Sequence, residues 1–461
     1  MRAKSLASLA LALAVISISA NAPTLDGLTA AGLSGIGVLV ATIILMITEA
    51  LPLPITMLSM MSAAFLLGVA SFSDICASFG NSAVFFMLAS FGVSAGLMNT
   101  NIPQAFVERV VDWSRGKSKR LVAGFLAASA ITSSFMSDVP TCVIFGAFAA
   151  KLLEASGHDK PGESSLGRSL MIAVPAGAIL GGFATPAGNG LNIMVMNSVN
   201  QMANANLTFV KWCAAGIPLM AAMATICTLV ILRMFKPHNI SVEVIRIAEQ
   251  KTEGSTKLGK KDLKFAVIMF AMIALWISSS WVPQINITVV AILGVLAMHL
   301  PGVDLLKGKD FVLGVSWESI IMCGGIIAIG TVVQSTGAIS WLVDLALTGS
   351  SIWPTAALLF VFSLIPCLIH LATPVAGAIY ALSCIPLITA AMALGIDPCI
   401  AALFAGLWIC VVFMQPFDLV YLLTYSYGYY TSKDLITFGA IPTVVLLALS
   451  VIWIPAICAV L

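Results

Sequence analysis

The chain has 461 residues, of which 60% are hydrophobic and only 9% are Asp, Glu, Lys or Arg. A soluble domain carries roughly 25% charged residues, so the composition excludes one and describes a protein that crosses a membrane many times. The net charge of +2 gives no indication of nucleic acid, and none is expected as a partner.

Apolar runs near the roughly 20 residues needed to span a bilayer lie at 5–22, 31–49, 51–69 and 82–100. The first has a basic tip, Arg2 and Lys4, and small residues near Ala20. It is read as a span, although a cleaved signal peptide has the same features. The next apolar stretch, 121–150, is split by Met136-Ser137-Asp138-Val139-Pro140 and is expected to enter and leave on one side as a hairpin. The run 169–197 is interrupted by Ala184-Thr185-Pro186-Ala187-Gly188-Asn189-Gly190. A span at 211–235 precedes a polar stretch, 236–263, expected as a cytoplasmic linker. Spans follow at 264–282, 286–300 and 319–336, and then a second split stretch, 354–392, around His370-Leu371-Ala372-Thr373-Pro374. The run 399–424 is broken by Met414-Gln415-Pro416-Phe417-Asp418, and 436–460 closes the chain. The expected fold is an all-α polytopic membrane protein with about eleven transmembrane helices.

Charge orients these spans. With the N-terminus inside, the basic segments Arg109–Arg120, Lys151–Arg168, Arg233–Lys264, Lys307 with Lys309, and Lys433 all fall on the cytoplasmic side. Lys211 is the one basic residue left over, and the outer loops hold Asp26, Asp74 and Asp397. This positive-inside asymmetry places the C-terminus outside, in a multi-pass protein of the cytoplasmic membrane. The ten cysteines are scattered without a CxxC pair and read as packing residues. His158, His238 and His299 sit in loops or at a span end and need no special role.

The breaks occur in register in the two halves. Phe79-Gly80-Asn81-Ser82 resembles Val315-Ser316-Trp317-Glu318, Pro140 matches Pro374, and Gly216-Ile217-Pro218 matches Ala440-Ile441-Pro442. The chain thus divides into a first span outside the repeat (1–30), a first half (31–235), the linker (236–263) and a second half (264–461). Each half holds five spans and one hairpin, and the odd number inverts the second against the first. Inverted copies would bring one hairpin tip in from each side to meet near the midplane. Lipid tolerates unwound backbone only where it lines a cavity, so matched breaks point to a transporter's binding site. Exposed helix N-termini there suit an anionic group, and free carbonyls suit a small cation. A lone proline is more often a kink; four breaks in register are not explained that way.

These residues resemble the divalent anion:sodium symporter family of the ion transporter superfamily. Thr48-Glu49-Ala50-Leu51-Pro52-Leu53-Pro54-Ile55-Thr56 is similar to its TEA-[IL]-PLP-x-T segment, and Gly181–Asn192 to its GG-x-[AG]-T-x-x-G-[ST]-x-x-N break. Gly428-Tyr429-Tyr430-Thr431-Ser432-Lys433-Asp434 is similar to its GY-x-[TS]-x-x-D ending. The resemblance implies a homodimer, elevator-type movement and a dicarboxylate, citrate or sulfate substrate. The family's hairpin tips carry Ser-Asn-Thr. Here they are Ser137-Asp138-Val139 and Leu371-Ala372-Thr373, and the second break reads Phe417-Asp418 after Pro416.

The expected sodium ligands are Ser133, Ser137, Asp138 and Gly188. The expected substrate contacts are Ser137, Asp138, Val139, Asn189, Gly190, Thr373, Pro416 and Asp418, including the amides around Val139 and Thr373. Loss of oxygen ligands at Leu371 and Ala372 weakens a second sodium site, and a protonated His370 would replace that charge; packing against a carbonyl is the competing role. The function expected is secondary active transport of a small organic anion, dicarboxylates foremost, driven by sodium, with no other cofactor. Exchange or proton coupling through His370 is the alternative. A channel or membrane enzyme is the rival class, with Asp138 and Asp418 as its one acidic pair. No GxxxxGK[ST] loop is present, so ATP-driven pumping is not expected.

Overall fold

A computed structural model of the chain describes residues 2–156, 161–240, 258–346 and 353–460. Much of the expected linker, and His158, lie outside them. The described residues form helices and no strand. In chain order these are α1 (Arg2–Asn21), α2 (Ala30–Thr48), α3 (Leu53–Leu66), α4 (Phe72–Ala77), α5 (Ser82–Met98), α6 (Ile102–Ser114) and α7 (Ser118–Ser133). They continue as α8 (Asp138–Ser156), α9 (Ser165–Ala184), α10 (Gly190–Met202), α11 (Phe209–Phe235), α12 (Lys260–Ser278), α13 (Ile287–His299) and α14 (Gly308–Gly314). The last are α15 (Trp317–Ser335), α16 (Ala338–Ala346), α17 (Thr355–Ala372), α18 (Ala376–Ala393), α19 (Pro398–Cys410), α20 (Leu419–Tyr425) and α21 (Ser432–Val460).

Local signals explain the boundaries. Thr29, Ser71, Ser164, Thr208 and Ser316 each accept an amide of the following first turn, as N-caps do. Pro54 sits at the start of α3, where a missing N–H costs nothing. Among the described residues nine helical stretches are long and apolar enough to cross a membrane, α4 and α5 counting as one (Phe72–Met98), and α1, α3, α13 and α19 are shorter apolar helices on expected runs. The protein is multi-pass.

All four expected breaks are present as gaps between helices, but their details differ from the sequence reading. Pro140 lies inside the first turn of α8, after a turn at 134–137, whereas Pro374 lies in the gap at 373–375. The two prolines are therefore not at equivalent places in their turns. Leu371 and Ala372 finish α17, so only Thr373 of the expected second tip is unwound. The last break opens earlier than expected, at Val411.

The chain forms two compact units, each drawing on both halves of the sequence. Unit 1 comprises 1–88, 194–207 and 316–409. Within it α2 packs on α1 and α3, α3 on α15, and α16 on α18. Unit 2 comprises 89–193, 208–315 and 410–461. Its centre is α9, where every residue from 169 to 188 is buried, with α7, α8, α11 and α20 packed around it. Small residues permit this crowding. Ser129 and Ser133 on α7 donate to the carbonyls of Val174 (2.9 Å) and Ala178 (2.7 Å) on α9. A Cβ on Gly181 would overlap the Ala130 carbonyl, whereas one on the adjacent Gly182 would meet nothing nearer than 3.6 Å. Backbone cannot step aside as a side chain can. Gly181→Ala is therefore expected to destabilise by roughly 1–3 kcal/mol or more, and Gly182→Ala to be tolerated. Size-exclusion profiles of the detergent-solubilised variants test this: equal monodisperse peaks would refute it.

Candidate functional site

In unit 2 the site is built where two helix breaks meet. After α7, the turn at 134–137 leads into α8, whose first residue, Asp138, is 8% exposed. Its Oδ1 accepts the Val139 amide (2.9 Å) and the Ser137 hydroxyl (3.1 Å). The acid thus caps its own helix and complements the positive helix end. The Thr185 hydroxyl donates to the Ser134 carbonyl and accepts the Ala187 amide, tying the break in the α9–α10 run to the hairpin turn.

A helix end leaves carbonyls without intrahelical donors, and α9 shows where they go. The Asn192 side-chain amide donates to Gly182 O (2.7 Å) and Thr185 O (3.0 Å), and Trp212 Nε1 to Phe183 O (2.8 Å). Cys410 Sγ donates to Asn192 Oδ1 at 3.1 Å and fixes the amide's orientation. The carbonyl oxygens of Gly181, Gly182 and Ser133 converge on Gly188, where a Cβ would lie 2.7, 2.8 and 3.0 Å from them. Asp138 Oδ2 also lies near Gly182, 3.6 Å from that glycine's missing Cβ. Among the described residues no group forms an ion pair with Asp138. The locus is rich in oxygen and net negative.

The remaining break joins through α20, which packs on α8 and α9. Asp418 Oδ1 accepts the Val420 amide (3.0 Å), and Cys142 donates to the Val420 carbonyl (3.2 Å). Asp418 lies within electrostatic reach of Asp138. Two helix N-termini are thus capped by acids of the chain itself.

Unit 2 therefore holds Ser133, Ser137, Asp138, Val139, Gly188, Asn189, Gly190, Pro416 and Asp418. Three details depart from the sequence reading. The Val139 amide is taken by Asp138 rather than left open for an anion. Asn189 Oδ1 accepts the Leu191 amide (3.0 Å) and so caps α10. The Ser133 hydroxyl points at Ala178, so its carbonyl is the atom that faces Gly188.

Thr373 and His370 belong to unit 1. Thr373 is fully buried at the α17–α18 gap; its amide donates to Ile369 O (2.9 Å) and its hydroxyl has no protein partner. His370, 1% exposed, places Nδ1 on the Trp408 carbonyl. A carbonyl only accepts, so Nδ1 carries the hydrogen. Trp408 Nε1 in turn donates to Ser363 Oγ (2.9 Å), fastening α17 to α19. Just after the gap, α18 contains a π-helical turn at Tyr380–Cys384, a distortion common at functional positions.

Sequence reasoning missed a polar cavity of about 50 Å³ in unit 1, lined by Asn81, Asn197, Ser198, Gln201, Thr331, Gln334 and Tyr380 among its residues. Asn197 donates to Ser82 Oγ (2.9 Å), and Ser198 shares a hydrogen bond with the Tyr380 hydroxyl. The available signal was amides and hydroxyls at helical spacing, Asn197 with Gln201 and Thr331 with Gln334, inside apolar runs.

A family model described as a citrate transporter matches residues 43–406. A membrane protein of Cupriavidus necator is 22% identical over 80% of this chain and 75% of its own. A sodium-dependent dicarboxylate transporter, SdcS, of Staphylococcus saprophyticus is 21% identical over 64% of this chain and 61% of its own. Among solved structures, the YdaH transporter of Alcanivorax borkumensis has a similar fold. It aligns with a TM-score of 0.54 at 13% identity, covering 84% of this chain and 88% of that one.

Proposed function

We propose that this chain, which belongs to the citrate transporter family, carries a small organic anion, dicarboxylates foremost, across the cytoplasmic membrane by sodium-coupled symport. It is a membrane transporter and not an enzyme. The observation that carries the coupling is the oxygen-rich locus at Gly188. Carbonyls of Gly181, Gly182 and Ser133 beside a buried Asp138 offer a sodium ion the neutral and charged oxygens it needs to shed water. Sodium is the counter-charge that lets a dianion approach Asp138 and Asp418. Within unit 2, substrate contacts are assigned to Asn189, Gly190 and Pro416, with Ser137 and Asp138 at the first hairpin turn; Thr373 is the candidate contact of unit 1. The names of the staphylococcal relatives support both the sodium and the dicarboxylate.

The same reading includes two inverted halves, eleven spans with the N-terminus inside, a homodimer, and elevator movement of one part against a scaffold. A second reading is exchange or proton coupling with His370 as the replacement charge. It is favoured by one observation: Thr373 carries the only side-chain oxygen at the second gap, Leu371 and Ala372 having none to offer another sodium.

Uptake of labelled succinate, citrate and sulfate into proteoliposomes separates the two. Symport requires a sodium gradient and leaves uptake dependent on membrane potential. Exchange runs without sodium and requires internal counter-substrate, and that outcome would replace the proposal. A steady ohmic current in a planar bilayer would replace both with a channel.

A further inference from the structure

The C-terminal end of α6 and the start of α7, both in unit 2, enclose a cleft of about 610 Å³ lined by Arg109, Asp112, Trp113, Arg115 and Arg120. Arg109, Asp112 and Trp113 share one face of α6, three and four residues apart. Arg115 ends the helix with left-handed backbone, φ 48°. Arg120 sits over the Trp113 ring, 5.7 Å from its centroid, a cation–π contact. Trp113 packs one edge against Gly124 of α7 yet remains 55% exposed. No ion pair among the described residues engages the three guanidiniums, and Asp112 is the one carboxylate in the lining.

A second, mostly apolar cleft of about 1020 Å³ adjoins the first and shares Arg109 and Asp112 with it. Ile102, Ala105 and Phe106 of α6 face Leu263 and Ala266 of α12 across it. The carboxylate of Asp262 at its edge is committed to the amides of Asn101 and Gly259, both at 2.6 Å. Glu108 and Lys260 also border it.

We propose that these joined clefts bind one anionic phospholipid, its phosphate on Arg109, Arg115 and Arg120 and an acyl chain along Phe106 and Leu263. Guanidiniums present paired donors that match phosphate oxygens. An exposed tryptophan beside basic side chains is the signature of a headgroup-level surface. A free phosphate would occupy only the basic cleft, and a neutral lipid only the apolar one. A molecule with both parts accounts for their continuity. The site is independent of the transport assignment.

The test uses full-length protein in detergent, with native mass spectrometry counting lipid adducts during titration with phosphatidylglycerol or phosphatidylcholine. Phosphatidylglycerol is expected to be retained at about tenfold lower concentration. Arg115→Gln with Arg120→Gln is expected to erase that preference, and Phe106→Gln to weaken retention of both lipids. A double variant that keeps the preference overturns the site. Displacement of phosphatidylglycerol by millimolar inorganic phosphate alone would assign the cleft to a free anion and overturn the lipid. Should the double variant fail to fold, brominated phosphatidylglycerol is added to wild type and Trp113→Phe. Quenching lost in Trp113→Phe supports the proposal, and equal quenching refutes it.

Discussion

Asparagine in place of Asp138 is expected to raise the sodium concentration for half-maximal uptake by about ten- to hundredfold, while leaving the protein folded. The fold survives because asparagine caps helices as well as aspartate, and its Oδ1 can still accept the Val139 amide and the Ser137 hydroxyl. What disappears is the full charge beside Gly182. A unit charge about 4 Å from a cation contributes roughly 4 kcal/mol at an effective dielectric of 20. The carbonyls of Gly181, Gly182 and Ser133 and entering water recover part of this, leaving about 1.4–2.8 kcal/mol, which is the stated factor. The measurement is initial uptake against sodium concentration in proteoliposomes. Unchanged sodium activation would remove Asp138 from the ion site. Loss of pH dependence with sodium activation intact would make Asp138 a proton carrier instead.

The breaks were legible in the sequence because lipid imposes one strict requirement, that no backbone amide or carbonyl is left without a partner. A polar or proline-marked stretch within an apolar run can then hardly be anything but an interruption. The gaps before Asp138, at Thr185–Asn189, at Thr373–Val375 and before Asp418 fell where those stretches stand. Their exact edges were not legible. Proline at the third position of a helix and proline in the turn before it are both sterically allowed, so Pro140 and Pro374 looked alike and are not. Nor did residue types reveal which atom does the work. Ser133 was expected as a sodium ligand, but its hydroxyl is spent on the Ala178 carbonyl and its own carbonyl is the atom that faces Gly188. Val139 was singled out for an amide that its neighbour already holds. Asn192 matched the break motif, but its task, supplying donors to the end of α9, depends on a chain reversal that only the folded backbone defines. The acids at 138 and 418 were visible as departures. That Asp418 caps the helix it precedes and Asp138 holds the second amide of the helix it begins follows from the folded backbone and not from composition.

His370→Ala is expected to reduce transport at least about tenfold, and His370→Asn to restore most of it. The reason lies in the end of α19. Trp408 stands in its last turn, where carbonyls have no helical donor, and the imidazole Nδ1–H supplies one. Alanine would leave that buried carbonyl unsatisfied, at roughly 1–3 kcal/mol, and open a void between α17 and α19. An asparagine side-chain amide can place its nitrogen near the Nδ1 position and donate in the same direction, but it cannot carry a proton's charge. The pair of variants therefore separates fastening from charge. Full activity in His370→Asn with an unaltered pH profile means that the residue holds the second gap in shape, which keeps the buried Thr373 hydroxyl in place. An inactive His370→Asn, in a wild type whose uptake rises as the pH falls, means that the ring supplies a positive charge. The sodium-symport reading would then yield to proton coupling. Thermal unfolding of both variants completes the test. Fastening predicts that alanine lowers the melting temperature more than asparagine does, whereas a charge role predicts no such order.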